Sequence, residues 1–224
     1  MNLLHILLLV VLEQFTGQAF AQIDLGTAAR FGIVASSAIT NTGNTVITGS
    51  LGLSPNTKDS ITGFPPGLSG VVYAGDEVAD QARRDARTAY SSAGSLAPTS
   101  QIAAADLGGQ TLVAGIYTSP SAVGLTGTLT LDGQNDPNSL FVFQIGSTLR
   151  TASSASVVLI NGARACNVYF QVGSSATLGS STRFNGNILA LTSISLLDNV
   201  RVNGGLFALN GAVTLINDRI VSQQ

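Results

Sequence analysis

Pairs of small side chains bracketing one apolar residue recur along this chain. Ala38 and Thr40 flank Ile39, Thr128 and Thr130 flank Leu129, and Thr148 and Arg150 flank Leu149. Ser175 and Thr177 flank Ala176, Ser193 and Ser195 flank Ile194, and Ala212 and Thr214 flank Val213. Successive side chains on a strand point to opposite faces, so a buried apolar residue sends its two neighbours outward. Hydroxyls and methyls in such pairs are neither acids nor activated nucleophiles. Their chemistry is hydration: each hydroxyl donates and accepts hydrogen bonds, and the methyls between carry no charge. Strands stacked in parallel would set the pairs about 4.8 Å apart, with alternate residues about 6.6 Å apart along each strand. Ser and Thr also favour exposed strands for local reasons alone, so the grid has a bland reading beside the functional one.

Reactive groups are scarce. The one histidine, His5, lies in an N-terminal apolar segment. Its loss with that segment would leave no Ser-His-Asp or Cys-His catalysis and no usual ligand for zinc or copper. The one cysteine, Cys166, has no partner for an internal disulfide and reads as a small buried hydrophobe. Paired-carboxylate hydrolysis needs two acids at one place. Outside residues 76–93 the acids are scattered: Asp24, Asp59, Asp106, Asp132, Asp136, Asp198 and Asp218. Asp132 and Asp136 fall in Leu131-Asp132-Gly133-Gln134-Asn135-Asp136-Pro137, which reads as a turn. The chain is expected to be no enzyme and to hold no metal or cofactor.

Ile6 to Leu12 is a short apolar run, and Ala19-Phe20-Ala21 is a small-x-small cleavage pattern. Residues 1–21 are therefore expected to be a secretory signal peptide, too short for a membrane span, and residues 22–224 one secreted domain. Removing Glu13 with the leader takes the 12 acidic residues to 11, against 10 basic ones. A near-neutral chain lacks the basic face that a nucleic acid or anionic membrane requires, so neither is expected as a partner.

The elements that position the pairs are legible as repeats. Asn185-Gly186-Asn187-Ile188-Leu189-Ala190-Leu191 returns as Asn203-Gly204-Gly205-Leu206-Phe207-Ala208-Leu209. Phe143-Gln144-Ile145-Gly146-Ser147 returns as Phe170-Gln171-Val172-Gly173-Ser174. Short-period self-similarity with strands broken by Gly, Asn and Ser predicts a solenoid of three-sided coils, irregular in coil length. Residues 25–73 supply about one and a half coils, and residues 103–221 the rest. Between them the period changes: Ala79, Ala82, Ala86, Ala89 and Ala93 form a helical stripe behind an Asp76 N-cap. An alanine-striped helix over about 76–93, with an Asp80–Arg84 pair, can lie close on a flat sheet.

The residues then resemble a known family. Leu25-Gly26-Thr27-Ala28 with Phe31-Gly32-Ile33-Val34-Ala35, and Ile47-Thr48-Gly49-Ser50-Leu51-Gly52-Leu53-Ser54-Pro55, are similar to the opening of microbial ice-binding (antifreeze) proteins. Leu159-Ile160-Asn161-Gly162-Ala163 and Asn210-Gly211-Ala212-Val213-Thr214-Leu215 continue the likeness to the end of the chain. The resemblance implies a mainly β fold: a right-handed, discontinuous β-solenoid of triangular cross-section with one long helix alongside. It implies that the N-terminal coil packs beside the C-terminal coils. It also implies adsorption to ice and its ordered water through one flat face, giving thermal hysteresis and inhibiting recrystallisation, by a monomer. Thr42, in Thr42-Gly43-Asn44-Thr45, resembles a Thr-Gly-x-Thr element of such faces, though a Gly-Asn turn explains it equally. The expected ice-binding set is thus Ala38, Thr40, Thr42, Thr128, Thr130, Thr148, Arg150, Ser175, Thr177, Ser193, Ser195, Ala212 and Thr214. A secreted glycan-binding, adhesin-like β-helix and a β-helix lyase are the rival readings.

Overall fold

The computed structural model describes residues 23–222 apart from 65–66 and 103–104; the expected signal segment lies outside the described residues. Among these, strands form three parallel sheets of nine, seven and seven members, designated I, II and III. One coil runs Ala176–Leu178 in sheet II, Arg183–Asn185 in sheet III, Asn187–Ala190 in sheet I and back to sheet II at Ile194–Leu196. The corners explain the Asn-Gly punctuation. Ser154, Ser181, Asn199 and Asn217 all adopt left-handed φ near +60° at the corner from sheet II to sheet III. At the next corner Gly204 sits at φ +152°, and a Cβ there would come within 2.0 Å of the Gly186 carbonyl oxygen. Only glycine allows successive coils to approach this closely.

The inner strands of sheet I are buried on both faces, as their unbroken apolar sequences require. Inward the sheet feeds an aromatic stack, with ring centroids of Tyr117–Phe143, Phe143–Phe170 and Phe170–Phe184 at 5.5, 4.4 and 4.8 Å. Outward it carries helix α1 (Glu77–Ser95), which seats Ala82, Ala86, Ala89 and Ala93 against Val34, Val142, Leu189 and Phe207. Asp76 caps α1 by accepting the Ala79 N–H at 2.8 Å, and Asp80 pairs with both Arg83 and Arg84. Gln144 ties the other end down, donating to the carbonyls of Ala93 and Leu96 at 2.9 and 2.8 Å.

The first coil does not sit at an end. Phe31–Ala35 pairs with Leu206–Ala208, Ile39–Thr42 with Val213–Ile216, and Val46–Thr48 with Arg219–Val221. The early region also goes further than the expected one and a half coils. Ser50–Leu53, Ile61–Thr62 and a bridge at Leu68 complete a second circuit, and Val72–Ala74 begins a third. The chain then runs along α1 to the opposite end, where Ser100–Gln101 pairs with Gly115–Ser119.

Candidate functional site

Sheet II has a continuous register across its seven strands. Gly124, Arg150, Thr177, Ser195, Thr214, Thr40 and Thr62 are successive partners across seven strands. Beside this row runs a second one. Backbone bonds from Leu149 to Ser175, Ala176 to Ser193, Ile194 to Ala212 and Val213 to Ala38 place Thr148, Ser175, Ser193, Ala212 and Ala38 in line. Thr42 opens a third row next to Ile216, which the register continues to Leu197, 42% exposed.

Several hydroxyls are held in place. The Ser175 oxygen accepts the Ser193 N–H at 3.3 Å, the Ser193 oxygen accepts the Ala212 N–H at 3.2 Å, and Thr40 donates to Thr214 at 3.4 Å. Locked donors and acceptors on a paired ladder make a rigid array. From Thr177 to Thr62 no position in these rows carries a charge. Beyond Thr177 the surface changes: Arg150 stands beside Gly124, at an open depression of about 460 Å³ that Thr148 and Ala152 also line.

Eleven of the thirteen expected residues therefore share sheet II: all but Thr128 and Thr130. Those two lie on sheet III, in Thr128–Asp132, where Thr128 meets Ser156 and Thr130 meets Val158 and Thr111. The strand of that coil on sheet II is Val123–Leu125, whose outward residue is Gly124. Inside-outside alternation assigned both threonines outward correctly but could not say from which side. Thr62, Leu197 and Ile216 complete the sheet II surface and were missed. Ile61-Thr62 carries the same apolar-hydroxyl signal; Leu197 and Ile216 look like core residues until the register is known. Of the two threonines in Thr42-Gly43-Asn44-Thr45 only Thr42 faces out, since Thr45 is buried at the corner and accepts the Asp218 N–H at 3.0 Å.

Sheet III is the contrasting side. Thr128, Ser156, Arg183, Arg201, Arg219 and Val46 form one outward row, and Val46, Val113, Val158 and Ile160 are exposed hydrophobics there. At the corner between sheets II and III, Asp218 is 2% exposed and accepts the N–H groups of Val200 and Ile216, both at 2.7 Å. Burial, with a contribution from Asp198, outweighs those two donors and pushes its carboxyl up to about 6.

Asp132 and Asp136 accept N–H bonds two residues on, from Gln134 and Asn138, both at 2.8 Å, as turn formers do. Cys166 is half-buried rather than buried, because the short turn Ala165–Asn167 gives the core position to Ala165. Among the described residues no cluster of His, Cys, Asp and Glu could hold a metal ion, and no helix is long and apolar enough to cross a membrane.

A family model described as Ice-binding-like matches residues 33–221. An ice-binding protein of Nostoc sp. (strain HG1) is 54% identical over 198 residues, covering 88% of this chain and 72% of the relative. Ice-binding protein 1 of Shewanella frigidimarina (strain NCIMB 400) is 36% identical over 223 residues, covering 86% of this chain and 25% of that longer protein. The crystal structure of an ice-binding protein from the Antarctic ascomycete Antarctomyces psychrotrophicus superposes with a TM-score of 0.87 at 44% identity. It covers 91% of this chain and 100% of that one.

Proposed function

The chain belongs to the Ice-binding-like family, and from that premise we propose that it adsorbs to ice through the outer face of sheet II. The carrying observation is the uninterrupted neutral row Thr177–Ser195–Thr214–Thr40–Thr62, with small residues beside it. The neutral part of the face, with two regular spacings and clear of the depression at Arg150, has no shape with which to enclose a small solute. It can instead order a sheet of water: methyls border the layer, hydroxyls anchor it, and the layer merges with a crystal whose own period is regular. Adsorbed molecules pin the growing front, which must then bulge between them. The curvature lowers its freezing point, and thermal hysteresis and slower recrystallisation follow. Because ladder bonds fix the backbone and side-chain bonds hold Ser175, Ser193 and the Thr40–Thr214 pair, binding orders little that was free, which favours adsorption.

The role proposed is non-catalytic. We further read residues 1–21 as a signal peptide and residues 22–224 as a single secreted, monomeric ice-binding domain; the apolar run Ile6 to Leu12 supports secretion.

Thr177→Tyr and Ser195→Tyr test the face, with Thr130→Tyr on sheet III as the control. Thermal hysteresis should collapse in the first two, with melting temperature held, and persist in the third. The opposite pattern would assign ice to sheet III.

A further inference from the structure

We propose that the outward row Arg183–Arg201–Arg219 is a second binding site, for a linear polysaccharide bearing a carboxylate on each sugar. The three arginines are direct register partners on adjacent strands. Strand spacing therefore sets their stems about 4.8 Å apart in a straight line. Like charges directly opposite one another on a sheet are unfavourable. Among the described residues both ion pairs lie on α1, around Asp80, and none reaches this row. The two acids nearest in sequence are otherwise engaged. Asp218 turns inward to the Val200 and Ile216 N–H groups, and Asp198 accepts the Asn217 amide at 2.8 Å.

The neighbouring asparagines are structural. Asn203 donates to Asn185 at 3.0 Å and Asn185 to the Val157 carbonyl at 2.8 Å, so that row is a hydrogen-bonded ladder running beside the arginines. Between the two rows lies an open groove of about 290 Å³, floored by Phe184 and Val202. Its lining comes from three successive strands, so it runs along the solenoid axis. A row that breaks the local rule of sheet pairing marks a functional position when a ligand can offset the cost.

The chemistry of the occupant follows from the comb. A guanidinium presents a planar fork that fits a carboxylate through two parallel hydrogen bonds. Three forks in line need a ligand with acidic groups repeated in line, and a polyuronate repeats its carboxylate at every sugar ring. Recognition here is by charge and spacing, without the aromatic platforms that neutral sugars use. A long nucleic acid would need a broader basic face than this single row of three arginines. The site lies on a different side from the ice face, so both can be occupied together.

Titration calorimetry with a linear oligouronate at low salt, using the full folded chain, tests the assignment. The native protein should bind it, lose affinity as salt rises, and ignore a neutral glucan oligosaccharide of equal length. Each Arg→Gln change should weaken binding about threefold, and R183Q/R201Q/R219Q roughly thirtyfold, with hysteresis retained and melting temperature unchanged or raised as the like charges are removed. The triple Arg→Lys form, with charge but no fork, should fall between. Equal binding of the neutral sugar, undiminished binding by the triple Gln variant, or tighter binding of single-stranded DNA would overturn the proposal. So would self-association that the Gln changes abolish in the absence of sugar.

Discussion

Sheets II and III are built alike and differ in what they show the solvent. Each has seven parallel strands, each alternates apolar residues inward with small or polar residues outward, and each runs the length of the same solenoid. Threonine does not separate them, since sheet III also carries Thr48, Thr111, Thr128 and Thr130. What separates them is the residue repeated at the middle of each row. Sheet II repeats a hydroxyl; sheet III repeats an arginine, with valines standing proud beside it. The scaffold therefore supplies period and rigidity to both sides, and one outward residue per coil decides whether a side is smooth and neutral or rough and charged.

The comparison can be broken most severely from within. Phe170→Ala removes the middle of the aromatic stack and should cost about 3–5 kcal/mol, seen as a lower urea midpoint. Both faces should fail together; loss of one alone would mean that the sheets are supported separately. Next in size is Thr214→Tyr, at the junction of the first and last coils. It should remove most of the hysteresis while Val158→Tyr on sheet III removes none, each with stability within about 0.5 kcal/mol of the native chain. Arg150→Thr should sharpen the contrast, extending the neutral row by one strand and raising hysteresis modestly; a fall would show that Arg150 itself touches the crystal.

The smallest effect concerns the corner that the two sheets share. Asp218 is ordinarily a group of pKa 3.8 and is raised to about 6 in the folded chain. The folded state then binds its proton more readily than the unfolded one, so Asp218 costs stability above about 6 and that cost fades as pH falls toward 3.8. Melting temperature should rise slightly over this interval. Asp80 is held low, by the Ser54 hydroxyl first and then by Arg84, so its contribution is lost only below its ordinary value of 3.8. Asp218→Asn should flatten the slope between about 4 and 6, whatever it does to absolute stability.

Much of this was readable in the chain. The Asn185 and Asn203 echoes are successive coils, and the alanine stripe with its Asp76 cap is α1 to within two residues at either end. Asn and Gly at corners carry their own physical reason, as does a long apolar strand between two buried faces. The side of the triangle was not readable. Alternation has period two, whereas membership of a sheet depends on how many residues each corner consumes, and these corners vary. Thr128 and Thr130 were displaced for that reason, because Gly124 put no hydroxyl on the sheet II strand just before them. Leu197 and Ile216 escaped because an outward leucine or isoleucine has the same letter as an inward one.

The place of the first coil has a consequence for how the molecule is made. In an ordinary repeat array each unit can dock on the one synthesised just before it, and folding can spread from any point. Here Ile33 must wait for Leu206, Thr40 for Thr214 and Ile47 for Ile220. Such closures are the most distant in sequence, and contacts of that range slow folding. The uncharged row of sheet II spans this seam. The Thr177–Ser195–Thr214 rungs and the Thr40–Thr62 pair can each form from neighbouring coils, but the row becomes continuous only when Thr40 meets Thr214.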